Sequence, residues 1–178
     1  TSCELLGLVC VVLAVIADGV FRPSSGTFYP TISHGPREAR KVAITFDDGP
    51  DPEVTPHVLD VLAKYGARAT FFMIGRHLAQ SRAIAERAVE EGHEIGNHSW
   101  QHAYLPNLFS TRAQLADIER VEQLIRSLTK SDAPISYRPP VGLKSPELAR
   151  AVHVCRLKVI AWSVHCPDTI DSDPQRIP

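Results

Sequence analysis

The stretch Thr45-Phe46-Asp47-Asp48-Gly49-Pro50 closes the apolar run Val42-Ala43-Ile44 with two adjacent carboxylates and a Gly-Pro turn. Successive side chains of an extended chain point to opposite faces, so Asp47 and Asp48 reach a common centre only where the backbone bends, as Gly49-Pro50 permits. Bent in that way, one carboxylate can bind a metal while its neighbour takes a proton. Unbent, the same residues are an Asp-Gly-Pro turn that ends a strand. His98 and His102 are four residues apart, a spacing that lets two imidazoles converge on one metal from a helical turn or tight loop. Two histidines so spaced also occur with no metal between them, and a carboxylate from another strand end makes the combination more specific than its parts. Such a set leaves one coordination position open, where a divalent metal activates water toward a pKa of ~7 and polarises an acyl oxygen. Arg138, ahead of Pro139-Pro140, is either the partner of one of these carboxylates or a surface arginine before a Pro-Pro turn.

Those residues meet only if the elements that carry them end at one edge. Beyond the strand that closes at Asp47, the pattern predicts a helix over 55–65, with Val58, Leu59 and Leu62 on one face and Gly66 as its stop. The continuous apolar run 69–74 reads as a strand buried on both faces of a parallel sheet. A helix over 81–91 follows, with Ser81 as cap and Gly92 as stop, then a short strand over 94–96. Ser110 opens a long amphipathic helix to about Leu128 carrying Leu115, Ile118, Val121, Leu124 and Ile125. Residues 136–138 read as a strand, 146–152 as a helix with Pro146 in its first turn, and 157–162 as a strand. This alternation predicts an α/β domain of right-handed βαβ units, a parallel sheet or barrel. In such folds chemistry gathers at the C-terminal ends of the strands, and Asp47-Asp48, His98, Arg138 and Asp168 each fall just after one.

The chain has 178 residues, 44% of them apolar, and a formal net charge of −1, which fits one domain with a sizeable core. With 19 basic against 20 acidic residues and no basic cluster, nucleic-acid binding is not expected. The four cysteines, Cys3, Cys10, Cys155 and Cys166, make no C-x-x-C pair. Cys155 and Cys166 fit either a disulfide of an exported domain or two free thiols. The apolar run Leu5 to Ala17 is shorter than the ~20 residues that span a bilayer. It reads as the remnant of a signal peptide or membrane anchor over 1–17, or as a buried helix, with a Gly/Pro/Ser/Arg-rich connector over 18–40 and the main domain over 41–178.

Taken together, Thr45-Phe46-Asp47-Asp48-Gly49-Pro50, His98-Ser99-Trp100-Gln101-His102 and Arg138-Pro139-Pro140-Val141-Gly142 resemble the first three motifs of the polysaccharide deacetylases, carbohydrate esterase family four. The resemblance runs from about Val42 to the end of the chain and implies a distorted (β/α) barrel. It implies that Asp48, His98 and His102 hold a divalent metal, usually zinc, that Asp47 is the general base, and that Arg138 positions it. It further implies that Pro139, Pro140, Val141 and Gly142 wall the substrate groove and that a backbone N–H there assists the oxyanion. The family often has Tyr where this chain has Val141. In the fourth motif, Trp162 to Thr169 keeps Asp168 as a supporting residue but has His165 and Thr169 in place of Asp and Trp. The family's Leu-x-His, resembling a general acid, has no counterpart before Pro178, so the domain is expected to be incomplete at its C-terminal end. The expected activity is hydrolysis of N-acetyl groups on peptidoglycan, a chitin oligomer or a similar polysaccharide, by an exported, cell-envelope or membrane-anchored protein. The rivals are a non-catalytic carbohydrate-binding module and a hydrolase of non-peptide C–N bonds in small molecules.

Overall fold

Ala69–Met73 places four of its five side chains in the interior, as a strand covered on both faces must. It is β3 of a wholly parallel sheet, and in the computed structural model, which describes residues 2–103 and 110–164, six strands run in the order β1-β6-β5-β4-β3-β2. The strands are β1 (Thr31–Ile32), β2 (Ile44–Phe46), β3, β4 (Glu94–Asn97), β5 (Ser136–Tyr137) and β6 (Lys158–Ile160). Their register pairs Phe46 with Phe71, Phe71 with Ile95, Asn97 with Tyr137, and Tyr137 with Val159. The helices are α1 (Ser2–Phe21), α2 (Val54–Lys64), α3 (Gly75–Gln80), α4 (Arg82–Glu90), α5 (Thr111–Thr129) and α6 (Pro146–Cys155).

The sheet curls into a half-barrel. In a flat sheet β2 and β5 would lie three strand spacings apart, ~14 Å, beyond the reach of an arginine side chain. Yet Arg138, just after β5, donates to Thr45 Oγ1 in β2 at 2.9 Å and to Asp47 Oδ1 beyond it at 2.6 Å. Close packing on the inner face is visible at Gly96, where a Cβ would stand 2.5 Å from Phe72 Cδ1, so only glycine lets β4 pass that ring. One apolar cluster packs α2, α4 and α5 on β2 to β4 through Leu59, Phe71, Ala85 and Val121. A second joins α5 and α6 to β5 and β6 through Ile118, Tyr137, Leu148 and Val159, and Tyr29 belongs to it.

The sequence patterns account for most of these elements, and the departures have physical causes. Ser110 caps α5 by accepting from Ala113 N at 3.3 Å, and Ser145 caps α6 from Leu148 N at 3.1 Å, ahead of Pro146. Ser81 makes no side-chain cap, because the chain arrives from α3, a short helix that the sequence pattern does not reveal. The stretch 18–40, read above as a connector, contributes β1 and the buried Tyr29. α1 is longer than its apolar run: helical backbone continues through the flanking polar residues, giving a 20-residue helix in which an 18-residue stretch has a mean hydropathy of 2.3, long and apolar enough to cross a membrane. Asp168, His165 and Cys166 lie outside the described residues.

Candidate metal centre

The bend expected at the acid pair is there: Asp48 has φ of 69°, in the left-handed region that Asp tolerates better than most residues. That turn aims Asp48 at the two histidines while Asp47 faces Arg138. Ser99 and His102 also have positive φ, 66° and 52°, so the segment after β4 coils back rather than continuing as strand or helix. Asp48 Oδ1 lies 3.4 Å from His98 Nε2 and 3.1 Å from His102 Nε2, and the three donor atoms all fall within 4.8 Å of one another. Ligands bonded at ~2.0–2.1 Å in tetrahedral geometry stand ~3.3 Å apart, so these spacings suit a single ion, and two imidazoles with a carboxylate suit a divalent one.

The surrounding hydrogen bonds fix which nitrogen offers its lone pair. A carbonyl can only accept, so His98 Nδ1–H donates to Arg138 O at 2.7 Å, which leaves Nε2 free in the neutral ring. His77 Nδ1–H donates to Asp48 O at 2.8 Å and supports the turn from behind. Asn97, fully buried at the end of β4, donates to Ile118 O of α5 at 3.0 Å and accepts from Ser99 N at 2.9 Å. Ser99 Oγ accepts from His102 N at 2.9 Å, and Asp117 of α5 accepts from Trp100 N at 2.7 Å. Every turn of the loop between the two histidines is therefore tied to a core element. With no metal bound, the Asp48 carboxyl is held below its usual range, first by the hydrogen bond with His98 Nε2, the contact a metal would replace, and against the effect of burial. Burial lowers His102, favouring the neutral ring that a metal requires.

Arg138 is 3% exposed and stacks 4.1 Å above the Phe72 ring. Besides Thr45 and Asp47, its guanidinium donates to Ile160 O at 3.3 Å and Ala161 O at 3.1 Å, so one side chain ties the ends of β2 and β6. After it, Pro140–Gly142 makes a tight turn in which Val141 is 46% exposed with φ of 48°, costly for a β-branched residue. Pro139 and Pro140 have no N–H, Arg138 N donates to Asn97 O, and Gly142 N to Pro139 O. The Val141 N–H is the one of the five that these bonds leave over. Beside the histidine loop lies a cavity of about 150 Å³ lined by Ser99, Gln101, Asp117, Tyr137 and Pro140 among others. Asp117, raised by burial, could not be singled out from sequence, since a lone acid on an amphipathic helix looks like a solvated face. Thr45 within β2, Asn97 at the end of β4 and His77 in α3 carry no signal of their own in the sequence.

A curled parallel sheet with a carboxylate and two imidazoles gathered at its C-terminal rim defines a (β/α)-barrel protein with a candidate site for a divalent metal. The chain belongs to the family described as Polysaccharide deacetylase, whose sequence profile matches residues 34–160. It is 37% identical over 130 residues to a peptidoglycan-N-acetylglucosamine deacetylase of Bacillus cereus, covering 73% of this chain and 60% of that one. It is 36% identical over 129 residues to a chitooligosaccharide deacetylase of Bradyrhizobium sp., covering 70% and 57%. A Bacillus anthracis CE4 family pseudoenzyme, in a mutant with restored enzymatic activity, superposes with a TM-score of 0.71 at 27% identity, over 78% of this chain and 50% of that one. The chain thus spans between 27% and 60% of the length of the curated relatives it matches.

Proposed function

We propose that this chain carries the metal site and proton-transfer groups of an enzyme that hydrolyses N-acetyl groups on an exported polysaccharide, peptidoglycan or a chitin oligomer being the leading substrates. The observation that carries the reading is the approach of Asp48, His98 and His102 within 4.8 Å beside an Asp47 held by Arg138 at 2.6 Å. The donor set favours zinc among divalent ions, since imidazole nitrogen with a single carboxylate suits it better than the all-oxygen sites of magnesium or calcium. When bound, the metal supplies Lewis-acid activation of water and of the acyl oxygen. Asp47 then takes a proton from the attacking water. Arg138 fixes the direction of that carboxylate, two of its remaining donors being spent on β6 carbonyls. The Val141 N–H, left over in its turn, donates to the oxygen on which negative charge develops. The exposed Val141 side chain and the turn around it form one wall of the groove.

A second reading, a carbohydrate-binding protein without turnover, is favoured by the residues at 162–169, where His165 and Thr169 replace the Asp and Trp of the usual fourth motif. Acetate release from N-acetylglucosamine oligomers by the full-length gene product, purified with its metal content measured, decides between them. Turnover that disappears with a chelator and returns with zinc supports the enzyme. Oligomer binding with no acetate released at any metal loading supports the binding module.

A further inference from the structure

α1 projects from the domain rather than packing on it: of its 20 residues only Gly19 is buried, and Leu5, Leu6, Leu8 and Val11, which point in different directions around the helix, are 65%, 64%, 61% and 61% exposed. A 20-residue helix is ~30 Å long, the thickness of a bilayer's hydrocarbon, and an all-round apolar surface of that length fits lipid and no single protein groove. The junction between this helix and the domain, by contrast, is built tightly. Lys144 N donates to Val20 O at 3.2 Å, in the last turn of α1. The Lys144 side chain, 1% exposed, donates its amine to Pro23 O at 2.9 Å and to Ser25 O, so a buried cation is spent entirely on holding the segment after α1. Asp18 closes the turn from the other side through Arg22 at 2.9 Å and Ser25 Oγ at 2.7 Å. Gly142 lies so close to this segment that a Cβ would stand 2.7 Å from Pro23 and 2.8 Å from Trp162.

The position of that clasp has a polarity. Lys144 precedes α6, at the end of the sheet where β5 delivers Arg138, whereas Phe28, Tyr29 and Pro30 line a cavity with His153, Arg156 and Leu157 at the far end of α6. The chain therefore enters at the rim that carries the metal donors and descends along α6 before turning up into β1. Lys144 is six positions on from Arg138, which bounds the distance between them at ~20 Å. Because residues 2–17 of α1 are all exposed, the helix packs on no face of the domain, and the bilayer it spans lies on the rim side. We infer that the clasp of Lys144 on the segment 20–25 turns the catalytic rim toward the membrane, so that the enzyme acts on an N-acetylated glycan presented at the membrane surface. This inference rests on the deacetylase reading for its substrate, though not for its geometry.

The test uses the full-length protein in phosphatidylglycerol vesicles carrying a fluorescent acceptor lipid, with the native cysteines changed to Ser and a donor dye on Glu53→Cys or Lys64→Cys. These exposed positions flank the two ends of α2, and at ~1.5 Å per residue Lys64 sits ~16 Å farther from the rim, so transfer from position 53 is expected at more than about twice the rate from position 64. A long Gly/Ser linker inserted between Arg22 and Pro23 should bring that ratio to about one, and Lys144→Met should do the same where it folds. Equal transfer from both positions in the parent, an unchanged ratio with the linker, or a mature protein that begins after Ala17 would each overturn the inference. Acetate release from a phospholipid-coupled N-acetylglucosamine oligomer and from the free oligomer is measured in parallel. An intact transfer ratio with neither glycan hydrolysed refutes the deacetylase reading and leaves the orientation standing, whereas hydrolysis with a ratio of one refutes the orientation alone.

Discussion

Replacing Arg138 by Met separates what this residue does for the fold from what it does for the site. The guanidinium donates to Asp47 Oδ1 at 2.6 Å, Thr45 Oγ1 at 2.9 Å, Ala161 O at 3.1 Å and Ile160 O at 3.3 Å, from a position 3% exposed. Met has nearly the stem volume and keeps contact with Phe72, so packing loss is minor and the polar terms decide. Two carbonyls that lose a donor cost ~1 kcal/mol each, and removing one partner of a buried ion pair costs ~3–5 kcal/mol in all. The Asp47 side chain is 33% exposed and can recover water, which places the net loss at the lower end, ~3 kcal/mol. For a domain of this size that is a fall of ~6–12 °C in Tm. Thermal unfolding followed by circular dichroism reads it, on metal-free protein so that metal binding does not mask the effect. Asp47→Asn combined with Arg138→Met should cost less than the sum of the single changes, because the carboxylate abandoned by Met is then gone. A loss under ~2 °C for Arg138→Met, with cooperativity unchanged, would refute the view that this side chain ties β2 to β6.

His98→Ala with His102→Ala should abolish tight binding of one divalent ion per chain, read by isothermal titration calorimetry; parental affinity would mean that the metal sits elsewhere. Asp47→Asn should lower the rate of acetate release by ~10²–10⁴ while leaving metal content unchanged, because the role proposed for it is proton transfer. Asp117→Ala removes the acceptor of the Trp100 N–H inside the histidine loop and should cost ~1–3 kcal/mol and weaken metal affinity, whereas Asp117→Asn, which retains an acceptor oxygen, should lose less. Glu122 is raised by burial, opposed by Arg126 and reinforced by Glu119, and its Oε1 is buried without a partner. A raised folded-state value means that its stabilisation is present below 4.5 and is lost as pH rises through the folded value, so Glu122→Gln should raise Tm at pH 7 and leave it unchanged below pH 4.

The parts of the site legible in sequence are those that a strand end delivers by itself. A continuous apolar run such as 69–74 suits a strand covered on both faces, and once β3 is fixed the acid pair, His98 and Arg138 fall after neighbouring strands by spacing. What reading by spacing misses depends on contacts between distant segments. Thr45 lies within a strand whose side chains could face either way, and only the curl of the sheet brings its hydroxyl to Arg138. Asp117 sits on a helix where exposed acids are common, and its value to the histidine loop arises from the depth at which α5 packs on β4. The segment 18–40 has the composition of a linker, and the bonds that fix it to the domain run to Lys144 and to β6, contacts that no local pattern reveals.

Arg138 also shows why the candidate metal donors and the proposed proton acceptor can be tuned separately although one residue touches both. Its carbonyl oxygen takes the His98 Nδ1–H at 2.7 Å and so sets which nitrogen that ring presents, while its guanidinium takes Asp47. The first contact belongs to the backbone and survives any side-chain change that leaves β5 paired; the second is lost with the side chain. The carbonyl is held in place independently, since the same residue's N–H donates to Asn97 O at 3.0 Å and Asn97 pairs with Tyr137 across the β4–β5 ladder. A change at the Arg138 side chain therefore acts on the orientation of Asp47 and on the β2 to β6 tie, and reaches the imidazole only by moving the whole end of β5. The acid pair divides in the same way: the left-handed turn at Asp48 is braced by His77 on its carbonyl, so Asp48 keeps its direction when Asp47 loses its partner.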